Sequence, residues 1–464
     1  MTDKHPLKAG FHTLGCKTNH YETDAVADRF RQAGFTIVGF DEAADVYVLN
    51  TCTVTAEADR KSRQFMRRAR SFNESAIVVA LGCHAQLNQD SQLADIVIGT
   101  QGKLTALDRV LERLKEKDQA VDNKQDRAVT VAGQAGPVLP VPLVHVTGDQ
   151  ASSDTFDEYG PVSQQSETRA YIKVEDGCDN FCTYCAIPLA RGRVRSRDPG
   201  RVLEEAARLA EAGYREVVLT GIHICSYGAD QGLGSHALAE LAIRIGQVPG
   251  IARIRLGSLE PQSITLRFVQ LAAAVQGLCP HFHLSLQSGS DPVLKQMNRQ
   301  YDTKRFRESA ALVRDFFPSA ALTTDVMVGF PGEDEQMHRQ SMDFIREIGF
   351  SRLHVFRYSR RSGTAAATMP DQVPKDVAIR RSAEMQALGN ELAQAFHSCL
   401  IGQIQTVLVE QIRDDGQAAG YTDSYVPVLI AEADGLKPNQ LVKVIPNRCD
   451  HEFLYAGYAQ DTDS

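Results

Sequence analysis

Residues 177–185 read GCDNFCTYC, which places Cys178, Cys182 and Cys185 at C-x3-C-x2-C spacing. A closed zinc site takes four ligands, and a fully ligated 4Fe–4S cluster takes four thiolates. Three thiolates hold three irons of a 4Fe–4S cube and leave the fourth open to a small-molecule chelate. S-adenosylmethionine carries the amino and carboxylate groups such a chelate needs. An electron from the cluster would then break its sulfonium C–S bond and release a 5′-deoxyadenosyl radical. A zinc knuckle with a distant fourth ligand is the plainer alternative.

Three further cysteines, Cys16, Cys52 and Cys83, are spaced 36 and 31 residues apart, and each ends an apolar stretch, TLGC, VLNTC or ALGC. One βα repeat is about 30 residues or more. The three thiols are therefore expected side by side along the carboxyl edge of one parallel sheet, where such folds bind ligands. A single cysteine there would read as an ordinary buried residue. Three at equivalent strand ends suggest a second cluster with an open iron. Cys225, Cys279, Cys399 and Cys449 show no mutual spacing and read as structural.

The elements that position these thiols are legible in the apolar pattern. From 8 to 117, strand-like and helix-like stretches alternate, which indicates βαβ units and a parallel sheet. From 118 to 166 the periodicity lapses and a linker is expected, with one short extended piece at VLPVPLVHV. From 167 to 398 six apolar strand candidates alternate with five helical stretches, and the cysteine triplet follows the first of them. A repeated right-handed βα unit curls into a parallel barrel, and fewer than eight units leave it open. From 399 to 464 short β-branched runs broken by DDG, ADG and KPN predict a small all-β barrel. The expected fold class is thus α/β: an N-terminal parallel-sheet domain, an open (β/α)6 barrel and a C-terminal β-barrel.

Composition sets outer limits. The chain has 464 residues, a length suited to two to four domains, and 43% of them are hydrophobic. No apolar run reaches the roughly 18 residues that span a bilayer, and MTDKHPLKAG has no signal-peptide core. A cytoplasmic protein without membrane contact is expected. Ten cysteines in a reducing compartment favour metal-binding thiols over disulfides. The net charge of −8 gives no global footprint for nucleic acid, so any such contact must be local.

The triplet on a six-stranded barrel, with Tyr184 before its last cysteine, resembles the radical S-adenosylmethionine (radical SAM) superfamily. With the second triplet the whole chain outside the linker resembles the methylthiotransferases, which carry a C-terminal TRAM domain. GCKTNHYETDA (15–25), NTCTVTAEADRKSRQ (50–64), ARGRVRSR (190–197), HLSLQSGSDPVLKQMNR (283–299) and DVMVGFPGE (325–333) look most like the MtaB type. Those enzymes are threonylcarbamoyladenosine tRNA methylthiotransferases. Thr18, His223 and Cys225 depart from the usual pattern without touching a cluster cysteine.

The resemblance implies two 4Fe–4S clusters, S-adenosylmethionine and tRNA as substrate, bound through its anticodon loop. It implies methylthiolation of C2 of N6-threonylcarbamoyladenosine at position 37. One S-adenosylmethionine would methylate a sulfide held at the N-terminal cluster, and a second would supply the radical. A monomer served by a low-potential donor such as a flavodoxin or ferredoxin is expected. The same chemistry could act on isopentenyl-adenosine tRNA or on a ribosomal-protein aspartate. A non-catalytic iron–sulfur RNA-binding or electron-transfer protein is the alternative of another class.

Gln287 and Asp325, at barrel-strand ends, are candidate S-adenosylmethionine contacts, with Tyr184 beside them. Two basic stretches could neutralise phosphates: RKSRQFMRRAR (60–70), with Arg60, Arg63 and Arg67, and RGRVRSR (191–197), with Arg193 and Arg195. Tyr421 and Tyr425 of the last domain would either stack on bases or pack its core.

Overall fold

The computed structural model describes residues 6–88, 93–128, 144–146, 155–162, 164–431 and 433–458. They fall into two compact units: Met1–Val162 with Leu189–Gly192, and Ser163–Pro188 with Arg193–Ser464.

In the first unit β1 (Lys8–Thr13), β2 (Thr36–Val38), β3 (Val46–Thr51), β4 (Ile77–Gly82), β5 (Ile96–Ile98) and β6 (Val144–Val146) form one sheet, ordered β2-β1-β3-β4-β5-β6. Every pairing in it is parallel. Strands β3 and β4 are buried throughout, which is why they read as unbroken apolar runs rather than alternating ones. Alternate strand residues still serve opposite faces. Val46, Val48, Val79 and Leu81 pack with Val26 and Phe30 of α1 (Lys17–Gln32). Tyr47, Leu49, Val78 and Ala80 pack with Met66 and Ala69 of α2 (Ala56–Phe72). Thr55 caps α2 by accepting from the Ala58 N–H at 3.1 Å. A short α3 (Cys83–Leu87) follows β4.

The expected linker is partly regular structure. Helix α4 spans Ala106–Ala128, because DQAVDNKQDRA (118–128) holds neither glycine nor proline to stop it. Further on, β6 adds an edge strand against β5. The remainder of the 118–166 expectation lies largely outside the described residues.

The second unit opens with β7 (Ala170–Lys173) and an antiparallel pair, β8 (Glu175–Asp176) with β9 (Arg195–Ser196). Helix α5 (Ile187–Arg191) ends in the residues that belong to the first unit. Then β10 (Glu216–Thr220), β11 (Arg253–Leu256), β12 (His281–His283), β13 (Ala321–Val328) and β14 (Arg352–Arg357) follow. They alternate with α6 (Pro199–Glu211), α7 (Ala237–Gly246), α8 (Leu266–Ala273), α9 (Asp291–Gln296), α10 (Thr303–Phe316) and α11 (Glu335–Ile348), and α12 (Lys375–Ser398) closes the series. Strands β7, β10 and β11 form one parallel sheet, and β12, β13 and β14 another. Single parallel bridges at Ile254–Leu278 and Leu259–Leu284 join the two. No pairing links β7 to β14 among the described residues, so the six strands form an open barrel, as expected.

The C-terminal part is a closed barrel ordered β15-β16-β17-β19-β18. Its strands are β15 (Gln405–Ile412), β16 (Ala418–Thr422), β17 (Pro427–Ala431), β18 (Leu441–Cys449) and β19 (Leu454–Tyr458). It packs on the amino ends of the open barrel's strands. Arg255 donates to the Asp423 carbonyl at 3.0 Å, and Arg169 Nε donates to Glu410 at 2.6 Å. Tyr421 and Tyr425 are stacked with centroids 4.8 Å apart. The Arg169 guanidinium lies 4.8 Å from each ring, and that of Arg255 4.7 Å from Tyr425. These tyrosines therefore neither fill the small barrel's core nor stand free for bases. They bind it to the open barrel through cation–π contacts. No described helix is long and apolar enough to cross a membrane.

Candidate cluster sites

The order β1-β3-β4 makes the strands that precede Cys16, Cys52 and Cys83 immediate neighbours. Cys16 stands at the N-terminus of α1, Cys52 directly follows β3, and Cys83 opens α3 after β4. Cys16 is exposed, while Cys52 and Cys83 are buried. Gly15 adopts φ +105°, and a Cβ there would lie 2.8 Å from Cys52 Sγ, so the glycine of TLGC leaves room for that thiol. Burial pushes the Cys52 thiol up to about 12; neighbouring Cys83 and Cys16 add to this, while the Val54 N–H and Arg191 oppose it. Burial also raises Cys83, opposed by Arg191 and Lys103 and reinforced by Cys16.

A buried polar network backs these thiols. Arg191 Nη1 donates to Glu22 Oε1 at 2.9 Å, and its Nη2 donates to Asn19 Oδ1 at 2.7 Å. Lys103 donates to the same Glu22 and, at 3.0 Å, to Asn50 Oδ1. Asn50 Nδ2 donates to the Asn19 carbonyl at 2.9 Å, and Asn19 Nδ2 donates to the Leu14 carbonyl at 2.7 Å. Glu22, Lys103 and Arg191 are wholly buried. Sequence reasoning found the cysteines but missed this network, since Arg191 and Glu22 stand 169 residues apart.

In the second unit the triplet follows β7 and β8, on the carboxyl side of the barrel. Burial pushes the Cys178 thiol up to about 12, the Asn180 N–H opposes this, and Cys185 and Cys182 reinforce it. Arg299 Nη1 donates to Cys182 Sγ at 3.1 Å, and its Nη2 donates to Glu260 Oε1 at 2.8 Å. Asn180 Nδ2 reaches the same Glu260 oxygen at 2.9 Å, and His223 Nε2 lies 3.3 Å from Glu260 Oε2. His223, a departure in the sequence pattern, thus belongs to the polar wall of this site. Glu260 carried no local signal, and Arg299 closes HLSLQSGSDPVLKQMNR without a role assigned to it from sequence. Tyr184 meets Phe330 edge-on at 6.5 Å, which anchors the triplet loop on an apolar cluster. Gln287 is held at φ +70° by its N–H to the Asp325 carbonyl, 2.9 Å, and by the Met327 N–H to its own carbonyl, 2.8 Å. Asp325 Oδ2 lies 3.4 Å from His283 Nε2. A cavity of about 690 Å³ lies between β14, α12 and the C-terminal barrel, and none of the six cysteines lines it.

Glu175 supports the same wall by accepting the Ile222 and His223 N–H groups at 2.9 and 2.7 Å. Burial pushes its carboxyl from an ordinary 4.5 up to about 8, opposed chiefly by the His223 N–H. A carboxyl raised in the folded state contributes stability below its unfolded value, and that contribution is lost as pH rises through the folded value. Urea midpoints of the Glu175→Gln variant relative to the parent are therefore expected to climb between pH 5 and pH 8. A constant difference across that range would refute this origin.

Of the basic candidates, Arg60 and Arg67 are exposed on α2 and Arg63 is half-buried. Arg60 pairs with Glu57 at 2.5 Å. Arg193 is 78% exposed, whereas the Arg195 side chain is 3% exposed and lies 3.7 Å from Asp176. Arg195 is therefore removed from the phosphate-binding set, because its charge is spent inside the β8–β9 pair.

Each set offers three cysteines, the ligand type a 4Fe–4S cluster takes, and in each an arginine addresses one sulfur. Comparison with known proteins shows the family. Residues 8–99 match the uncharacterized protein family UPF0004, and residues 172–345 match the radical SAM superfamily. The chain is 37% identical over 97% of its length to the threonylcarbamoyladenosine tRNA methylthiotransferase MtaB of Bacillus subtilis, covering 94% of that protein. It is 35% identical to the MtaB of Thermotoga maritima, covering 89% of each chain. It is 32% identical to a tRNA-2-methylthio-N(6)-dimethylallyladenosine synthase of Pelotomaculum thermopropionicum, covering 88% of each. Among solved structures, the radical S-adenosylmethionine methyltransferase TsrM of Kitasatospora setae superposes with a TM-score of 0.51 at 15% identity, over 78% of this chain and 77% of that one. That likeness concerns the fold. The protein is a radical SAM transferase. It belongs to the methylthiotransferase family, within which it is of the MtaB type.

Proposed function

We propose that this enzyme methylthiolates C2 of N6-threonylcarbamoyladenosine at position 37 of tRNA, using S-adenosylmethionine and two 4Fe–4S clusters. The observation that carries the reading is the placement of Cys16, Cys52 and Cys83 after three adjacent parallel strands, in addition to the Cys178–Cys182–Cys185 triplet. When bound, a cluster with an open iron supplies the electron that cleaves S-adenosylmethionine to the 5′-deoxyadenosyl radical. The C2 hydrogen of an adenine is not acidic, which makes a radical route chemically apt.

The chain's own residues hold and shape the two sites. Arg299 orients Cys182 by its N–H, while Glu260 and Asn180 fix that guanidinium. Tyr184 packs edge-on against Phe330 and so holds the triplet loop to an apolar cluster. Gln287 and Asp325 are proposed to contact S-adenosylmethionine, in a segment that their backbone hydrogen bond makes rigid. Arg60, Arg63, Arg67 and Arg193 are proposed to meet the phosphates of the anticodon stem-loop. A cytoplasmic monomer supplied by a flavodoxin or ferredoxin completes the reading.

The test is mass spectrometry of tRNA nucleosides from cells lacking this gene. The 2-methylthio form of threonylcarbamoyladenosine is expected to vanish and to return on complementation. A relative at 32% identity is named for dimethylallyladenosine. Disappearance of the 2-methylthio isopentenyl derivative alone would transfer the assignment to that nucleoside.

A further inference from the structure

We propose that Arg191 and Lys103 form a buried cationic backing that raises the reduction potential of the cluster held by Cys16, Cys52 and Cys83. This rests on the two-cluster reading given above. Both cations are wholly buried, and both bind one carboxylate, Glu22. Burial lowers the Lys103 ammonium from its ordinary value and Arg191 adds to this, while Glu22 and Cys83 hold its charge, so within this group two cations share one acid and face a thiol. Arg191 also hydrogen-bonds Cys83 and acts on Cys52.

An excess buried cation is costly unless an anion lies close by. Three thiolates outweigh the charge of an oxidised 4Fe–4S core, and reduction adds one more negative charge. A fixed positive charge beside the thiolates favours the more negative state, and the low interior dielectric strengthens the effect. Net charge and hydrogen bonds to sulfur are the protein's means of setting a cluster's potential. The guanidinium fork suits the role, since it spans Glu22 and Asn19 while still addressing Cys83. The Thr100 hydroxyl fixes the segment by donating to the Ala190 carbonyl at 2.7 Å.

The roles of Arg191 and Lys103 are those of positioning residues, and a potential reports them directly. In a chain whose Cys178, Cys182 and Cys185 are replaced by alanine, anaerobic reconstitution is expected to leave about four irons. No bound iron in that parent would overturn the two-cluster reading and this proposal with it. With iron bound, EPR-monitored dithionite titration is expected to give lower midpoints for Arg191→Met and Lys103→Met. A tenfold change in the reduction equilibrium is about 59 mV for one electron, and Arg191→Met should reach it. Arg191→Lys should keep the parent's midpoint. Unchanged midpoints in both methionine variants, or loss of iron from both, would overturn the proposal in favour of a purely structural ion pair.

Discussion

Replacing Cys178, Cys182 and Cys185 together by alanine is expected to abolish 5′-deoxyadenosine formation and to remove half of the iron. The parent should hold about eight irons per chain after anaerobic reconstitution, and this variant about four. Replacing Cys16, Cys52 and Cys83 instead should also leave about four irons. That variant should still cleave S-adenosylmethionine on reduction, yet form no methylthio product. The asymmetry follows from position. The first set follows the opening strand of the open barrel, where the chain resembles radical SAM enzymes. The second lies on a separate sheet and carries its own buried cations. Iron assay and chromatography of the nucleoside products distinguish the two. If either triple replacement removed all iron and all cleavage, the assignment of independent roles would fall.

The second large effect is expected at Glu22. Its carboxylate receives Lys103 and Arg191, and all three side chains are fully buried. Glu22→Gln removes the acid and leaves both cations in place. Breaking a buried pair from one side costs about 3–5 kcal/mol. For a unit of this size that corresponds to a fall in melting temperature of about 10 °C. The Glu22→Gln/Lys103→Met double variant still lacks the acid but removes one of the two buried cations it paired, so it should recover part of the loss. Differential scanning calorimetry of the metal-free chains measures this. A fall of about 1 °C, or a double variant less stable than the single one, would show that water or another group neutralises these cations.

Much of this architecture is written locally. Apolar runs such as VYVLN and IVVALG declare buried parallel strands, and Thr55 with an acidic first turn declares the start of α2. Since each thiol closes such a run, the sequence by itself determined that Cys16, Cys52 and Cys83 lie at strand ends, and the C-x3-C-x2-C spacing determined the other set. The lapse of periodicity after residue 117 misled because α4 lacks an internal stop signal there, and its charged residues hide a helix that continues to Ala128.

Tertiary structure alone decided what the arginines do. RGRVRSR reads as one basic stretch, but its members part company: Arg191 joins Glu22, Arg193 stays exposed, Arg195 lies by Asp176, and Arg197 pairs with Glu205. Similarly, Tyr421 and Tyr425 look available for bases until Arg169 and Arg255 are found against their rings. The reason is physical. Strand and helix periods depend on neighbours a few residues away, so the chain displays them directly. A charge or ring takes its function from whichever partner the folded chain brings to it, and for Arg191 and Arg255 those partners come from more than 150 residues away.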